Sequence, residues 1–193
     1  MKKVAFSIIM VLFTGNLFAQ DVEIRNFSGQ EAEIRRGYIG ISFGPAFPTG
    51  DIKSSAVSEG GHFNLVNFGY LFSEHVGIAA TWFGTSFISK ADKEMSVGMG
   101  GIMAGPLFST ATPTRNFEFD FKPMVGFANG TIIDHGDTSS SSRAFALGIG
   151  GAIRWNCWSK FSLSCGIDYY SGKPEGVNLS SCALVFGVNY RLK

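Results

Sequence analysis

Residues Phe117–Phe127 read FEFDFKPMVGF. Phenylalanine alternates with charge. Successive side chains of a β-strand point to opposite faces, so Phe117, Phe119 and Phe121 share one side while Glu118, Asp120 and Lys122 share the other. One face is apolar and the other ionic. This suits a strand whose apolar side meets lipid and whose polar side meets a barrel interior. A soluble strand with one buried face can carry the same pattern, so the surrounding sequence has to decide.

Strand-like runs separated by turn chemistry fill the chain on both sides of this stretch. The first, Tyr38 to Phe47, sets Ile39, Ile41 and Phe43 against Gly40, Ser42 and Gly44. The second, about Gly61 to Phe72, is ambiguous in phase, because Phe63/Leu65 and Val66/Phe68/Tyr70 are all apolar. The third, Val76 to Ile88, sets Val76, Ile78, Ala80 and Trp82 against Gly77, Ala79 and Thr81. The fourth, Met95 to Phe108, sets Val97, Met99 and Met103 against Ser96, Gly98, Gly100 and Ala104.

The Phe117 stretch is the fifth. The sixth sets Phe145, Leu147, Ile149, Ile153 and Trp155 against Ala144, Ala146, Gly148, Gly150, Ala152 and Arg154. The seventh sets Phe161, Leu163, Cys165, Ile167 and Tyr169 against Ser162, Ser164, Gly166, Asp168 and Tyr170. The eighth sets Cys182, Leu184, Phe186, Val188, Tyr190 and Leu192 against Ser181, Ala183, Gly187, Asn189 and Arg191.

The eight runs span about ten or more residues, where a tilted membrane strand needs about nine to eleven and soluble strands average about five or six. An even number of strands brings both ends of a barrel to one side. The expected fold class is therefore all-β, an eight-stranded antiparallel transmembrane β-barrel. A soluble sandwich or lipocalin-like barrel is the alternative.

The N-terminus supports export. Met1-Lys2-Lys3, the apolar run Val4 to Phe13 and Ala19 have the layout of a cleaved signal peptide over residues 1–19. Residues 20–36 then form a polar periplasmic tail, and residues 37–193 the barrel domain. The chain has a net charge of +1 and 16 % charged residues, which excludes a nucleic-acid surface. Hydrophobic residues make up 45 %, with 25 Gly and 19 Phe, a composition suited to aromatics facing lipid and small residues packed inside.

The runs GYIGISFGP (37–45), NFGY (67–70) and FDFKPMVG (119–126), the signal end LFAQ (17–20) and the terminus GVNYR (187–191) carry a resemblance. Together they resemble the small porin-like outer-membrane β-barrel proteins abundant in Bacteroidota, of the eight-stranded OmpA/OmpX-like kind. The resemblance implies an outer-membrane location and this architecture, and it implies no activity. The chain ends in Leu192-Lys193 rather than on the aromatic of many outer-membrane barrels.

Six charges share the inward phase: Glu118, Asp120, Lys122, Arg154, Asp168 and Arg191. Eight strands enclose only enough room for side chains. Charges held there must be paired or hydrated, so the expectation is a salt-bridge network that closes the interior. The alternative is a narrow transport pore for ions or small solutes. Cys165 and Cys182 share the outward phase, and a hairpin centred near Lys173-Pro174 sets them opposite each other. That allows a cross-strand disulfide, the alternative being free thiols that pack as small hydrophobes.

His62, His75 and His135 form no His-x-Ser pair on a strand, and His135, Asp137 and Ser139–Ser142 sit in a loop. No enzyme activity, cofactor or metal is expected. Trp82, Trp155, Trp158, Tyr38, Tyr169, Tyr170 and Tyr190 fall near strand ends, where interfacial girdles form, with Trp155, Trp158 and Tyr190 favoured. Loops Asp51 to Gly60, Thr131 to Arg143 and Ser171 to Asn178 would carry any surface ligand. The expected partners are outer-membrane lipid or lipopolysaccharide and an unidentified envelope protein or surface ligand, with the chain itself monomeric.

Overall fold

The computed structural model describes residues 36–50, 57–110, 116–134, 137–140 and 143–192. The signal peptide, most of the polar tail, His135 and part of the loop after Gly50 lie outside the described residues.

The strands are β1 (Gly37–Gly50), β2 (Val57–Leu71), β3 (Val76–Ser89), β4 (Ser96–Ser109), β5 (Phe117–Asp134), β6 (Asp137–Ser140), β7 (Ala144–Trp155), β8 (Phe161–Gly172) and β9 (Leu179–Leu192). All pairings are antiparallel, in the order β4-β3-β2-β1-β9-β8-β7-β5-β6, and a further β4–β5 pairing closes the sheet on itself. The result is an eight-stranded barrel plus the short β6, which pairs with the end of β5 from Thr131↔Ser140 to Asp134↔Asp137. Much of the segment read as a Thr131–Arg143 loop is therefore a hairpin extension of the wall. Its serines gave no apolar alternation to reveal it.

Side chains alternate across the wall. On β7, Phe145, Leu147, Ile149, Ile153 and Trp155 are exposed on the outside, and Ala146 and Arg154 are buried within. The same outward apolar row runs along β1, β3, β5, β8 and β9. The belt includes Ile41, Trp82, Phe119, Ile167 and Phe186. Phe117 and Trp155 stack, as do Phe108 and Phe121, while Phe161 meets Tyr190 edge to face. Trp155, Trp158 and Tyr190 thus stand on the outside at the end of the barrel where β1 begins and β9 finishes.

Three sequence readings change. The phase ambiguity of the second run is a β-bulge. Asn64 pairs with Phe83 and Val66 with Trp82, so β2 has one residue too many at Leu65. β1 skips the same residue, between Gly40 and Ser42. A bulge reverses the phase of everything beyond it. Leu65 and Phe63 on one side of it, and Val66 on the other, all avoid the buried row held by Asn64 and Asn67.

On β4 both sides carry apolar residues, and the methionines are on the inner one. Met99 and Met103 are buried in the lumen, whereas Ile102 and Phe108 face out, in phase with Gly98 and Gly100. Tyr38 and Tyr170 are not girdle residues. Both are buried inside, Tyr38 lying over Gly69, whose missing Cβ leaves room for the ring.

Ile149 sits midway along β7 and is half exposed on the outside. In phospholipid vesicles, Ile149→Arg should lower unfolding free energy by about 2–4 kcal/mol, the cost of arginine at a bilayer midplane. Urea titration measures it.

Candidate functional site in the barrel interior

The inward side chains form three zones along the barrel. At the end where β1 begins and β9 finishes, β1–β4 contribute Tyr38, Leu71, Ala79 and Leu107. β5, β7 and β9 contribute Glu118, Asp120, Arg154 and Arg191 on the other side. At the opposite end lie Phe83, Met99, Met103, Met124, Ala128, Ala146, Tyr170 and Leu179, beside Ala46, Val57, Phe87, Ala183 and Val185. Polar groups on β1, β2, β3, β5 and β8 occupy the middle.

The terminal zone is ionic on one side and apolar on the other, and Arg154 joins the two. Its cross-strand partner is Glu118. Arg154 Nη2 donates to Glu118 Oε2 at 2.5 Å and to Asp120 Oδ1 at 3.2 Å, while its guanidinium lies 4.0 Å from the centroid of the Tyr38 ring. A cation over an aromatic face is attracted by the ring quadrupole, more strongly where water is excluded. Asn156 Nδ2 donates to Glu118 Oε1 at 2.6 Å and Ser109 Oγ to Asp120 Oδ1 at 2.7 Å. Arg191 approaches Glu118 at 4.0 Å from a less buried position.

Behind this cluster, Arg154 Nε, Asn156 Oδ1, Ser162 Oγ and Asn189 Oδ1 are buried without a hydrogen-bond partner among the described residues.

The middle zone is built around Asn64, the side chain that sequence reasoning missed. Asn64 Nδ2 donates to Ser42 Oγ at 2.8 Å and to Asp168 Oδ2 at 3.0 Å. With the amide turned this way, Asn64 Oδ1 accepts from Thr81 Oγ1 at 3.1 Å and faces His62 Nε2 at 3.1 Å. A neutral His62 must therefore carry its proton on Nε2. Its Nδ1 then accepts from the Thr85 hydroxyl, 2.7 Å away. His62 stacks on Tyr170, and Tyr170 on Phe83 at 4.1 Å between centroids, which caps the polar zone with rings.

Lys122 and Asp168 lie in one row with Gly150 between them, Lys122 opposite Gly150 and Gly150 opposite Asp168. Lys122 Nζ donates to Asn67 Oδ1 at 3.1 Å, and Tyr170 OH to Asp168 Oδ2 at 3.3 Å. The structure thus brings Glu118, Asp120 and Arg154 into direct contact. Arg191 stands at their edge, and Lys122 and Asp168 are held by neutral partners.

The proposed Cys165–Cys182 bridge is not formed. Cys165 faces Phe186 and Cys182 faces Tyr169, and all three cysteines are free. The turn Pro174–Gly176 centres the hairpin later than the sequence suggested. An offset of four residues is about 13 Å along a strand, beyond the ~7 Å Cα limit for a disulfide. His75 Nδ1 faces Ser109 O at 3.1 Å in the turn between β2 and β3. Among the described residues no group of three or more His, Cys, Asp or Glu could hold a metal ion.

Two measurements bear on this geometry. Arg154→Ala leaves two carboxylates buried together and should cost about 3–5 kcal/mol in denaturant unfolding. Combined with Glu118→Ala, it should cost less than the two single losses added, because the pair is already broken. Alkylation of the unfolded protein should modify Cys157, Cys165 and Cys182 equally with and without prior reduction, as mass spectrometry would read.

Among solved structures the chain is similar to Neisserial surface protein A, at 14% identity and a TM-score of 0.65, over 81% of this chain and 97% of that one. It is similar to Ail, the attachment invasion locus protein of Yersinia pestis, at 18% identity and 0.50, over 81% and 99%. It is also similar to the outer membrane protein OprG from Pseudomonas aeruginosa, at 12% identity and 0.52, over 84% and 99%. No protein-family model and no curated protein matches the sequence. At these identities the likeness shows fold, and the fold is the closed eight-stranded antiparallel barrel of small outer-membrane proteins.

Proposed function

We propose that the chain is a non-enzymatic bacterial outer-membrane barrel, exported by a cleaved signal peptide, with a structural or interaction role in the cell envelope. It would be a monomer of the Bacteroidota porin-like type, set among outer-membrane lipid and lipopolysaccharide. The observation that carries this is the filled lumen. Below the polar middle the wall is closed by Arg154 against Tyr38, and above it by stacked Phe83 and Tyr170 with three methionines. A barrel of this size sealed at two levels has its outer face and loops left for function.

An even strand number brings both barrel ends to one side, and export through the periplasm would make that side the periplasmic one. The β5–β6 ribbon and the turn before β9 then face outward, where a surface ligand or an envelope protein would bind. Ail and Neisserial surface protein A are named for attachment and for the cell surface. The interaction reading takes the same direction.

The second reading is a narrow pore for ions or small solutes. It is favoured by the polar middle zone, where Lys122 and Asp168 are held by neutral partners rather than by each other.

Planar-bilayer recording separates the two. The interaction reading expects no discrete conductance steps from the folded protein. Steps that change when Arg154 is replaced by Glu would overturn it in favour of the pore. The shared foundation is tested by fractionation. The protein should appear in the outer membrane with heat-modifiable gel mobility, and a soluble periplasmic protein would sink both readings.

A further inference from the structure

Among the described residues, the β4–β5 seam has a row from which both backbone donors are missing. Across β4–β5, Ala104 pairs with Val125 and Phe108 with Phe121, and the three rows between them are unpaired. The middle row sets Pro106 against Pro123. In an antiparallel ladder the rows alternate between pairs that exchange two N–H···O bonds and pairs that exchange none. Loss of all three rows follows if Pro106 and Pro123 are the exchanging pair. Each bond would need a proline N–H, and proline has none. The outer flanks stay intact, since Ile78 pairs with Pro106 across β3–β4 and Ile149 with Pro123 across β5–β7.

Two features make this seam different from a strand that merely contains a proline. Proline is ordinarily confined to edges and bulges of sheets, and here two of them face each other inside a closed wall. The β1–β9 seam also skips rows, at Gly44 and Pro45, but the residue facing Pro45 is Leu184, which keeps its N–H. In β4–β5 both donors are missing from the same row. Membrane-embedded carbonyls have no water to turn to, so an incomplete ladder there is the weakest stretch of the barrel.

We propose that the β4–β5 seam at Pro106–Pro123 is a lateral opening, the place where the wall parts toward the lipid while the other seams hold. Its outer latch is the stack of Phe108 on Phe121, two rows toward the terminal end, with centroids 6.3 Å apart. Directly behind it stand Leu107, Lys122 and Met124, all buried in the lumen. Gly105 lets β5 come close, because a side chain there would strike the Pro123 carbonyl. Parting the seam exposes that inner patch to the membrane, while the Glu118–Arg154 pair spans β5–β7, the seam on the other edge of β5.

Hydrogen–deuterium exchange on the folded protein in phospholipid vesicles tests this directly. The amides of Ala104, Phe108, Phe121 and Val125, which flank the missing bonds, should exchange at least about tenfold faster than amides at equal depth in the β7–β8 seam. The double variant Pro106→Ala, Pro123→Ala supplies both missing donors and should bring the four amides to the β7–β8 rate. Equal exchange in the two seams of the native protein overturns the proposal, and so does a double variant that folds but leaves the rates unchanged. If the variant fails to fold, the native comparison still decides. Conductance does not enter the readout, so failure of the interaction reading and failure of the opening are separable.

Discussion

Everything in this molecule follows from one constraint on the backbone. A strand running through an apolar belt has no solvent to satisfy its N–H and C=O groups, so each must be met by a neighbouring strand, and the sheet must close. Closure explains why the strands run 12 to 18 residues, β6 apart, and why β4 pairs with β5 as well as with β3. It also fixes the interior. With eight strands the lumen is as wide as the side chains that fill it, and whatever polarity the inner face carries must be resolved within that space.

The resolution differs from level to level. At the terminal end the charges neutralise one another directly, with Arg154 between Glu118 and Asp120. In the middle, Lys122 and Asp168 are solvated by amides and hydroxyls instead. Asn64 acts there as a fixed dipole whose nitrogen faces the carboxylate and whose oxygen faces His62 and Thr81. Truncating such an amide removes several bonds at once and leaves a buried carboxylate short of a donor. Unpaired polar groups are costly in a low-dielectric interior. The stacked rings of Tyr170, Phe83 and His62 mark the boundary with the apolar end.

How much of this the sequence disclosed depends on whether a face was chemically one-sided. On β5 and β7 the outer row is Phe, Ile or Leu and the inner row carries charge. There the period of two gives strand, phase and the ionic residues together. On β4 both rows are apolar or glycine, because the far lumen is lined by methionines. Hydrophobicity then no longer separates lipid from interior, and Met99 and Met103 are misassigned. The bulge at Leu65 hides in the same way. One extra residue between two apolar sets reads as noise until a neighbouring register exposes it.

The Cys165–Cys182 pairing failed because hairpin register depends on turn geometry, which Lys173-Pro174 does not announce. Asn64 and His62 gave no signal at all. Their role arises from contacts across many residues of chain, such as Asn64 with Asp168.

The placement of the weak and strong seams has a physical logic of its own. β1 and β9 are far apart in the chain, and bringing them together costs the closure entropy of nearly the whole domain. That seam is laddered along most of its length, from Gly37↔Leu192 to Gly50↔Leu179. β4 and β5 are neighbours in sequence, with only residues 110–116 between them, so their pairing needs little closure entropy. A local hairpin can lose two ladder bonds and still form, whereas the same loss at β1–β9 would fall on the contact that makes the sheet a barrel. A facing proline pair is thus tolerated at β4–β5 because proximity in the chain restores what the missing N–H groups cannot. The barrel stays closed by its longest-range seam and can yield at a short-range one.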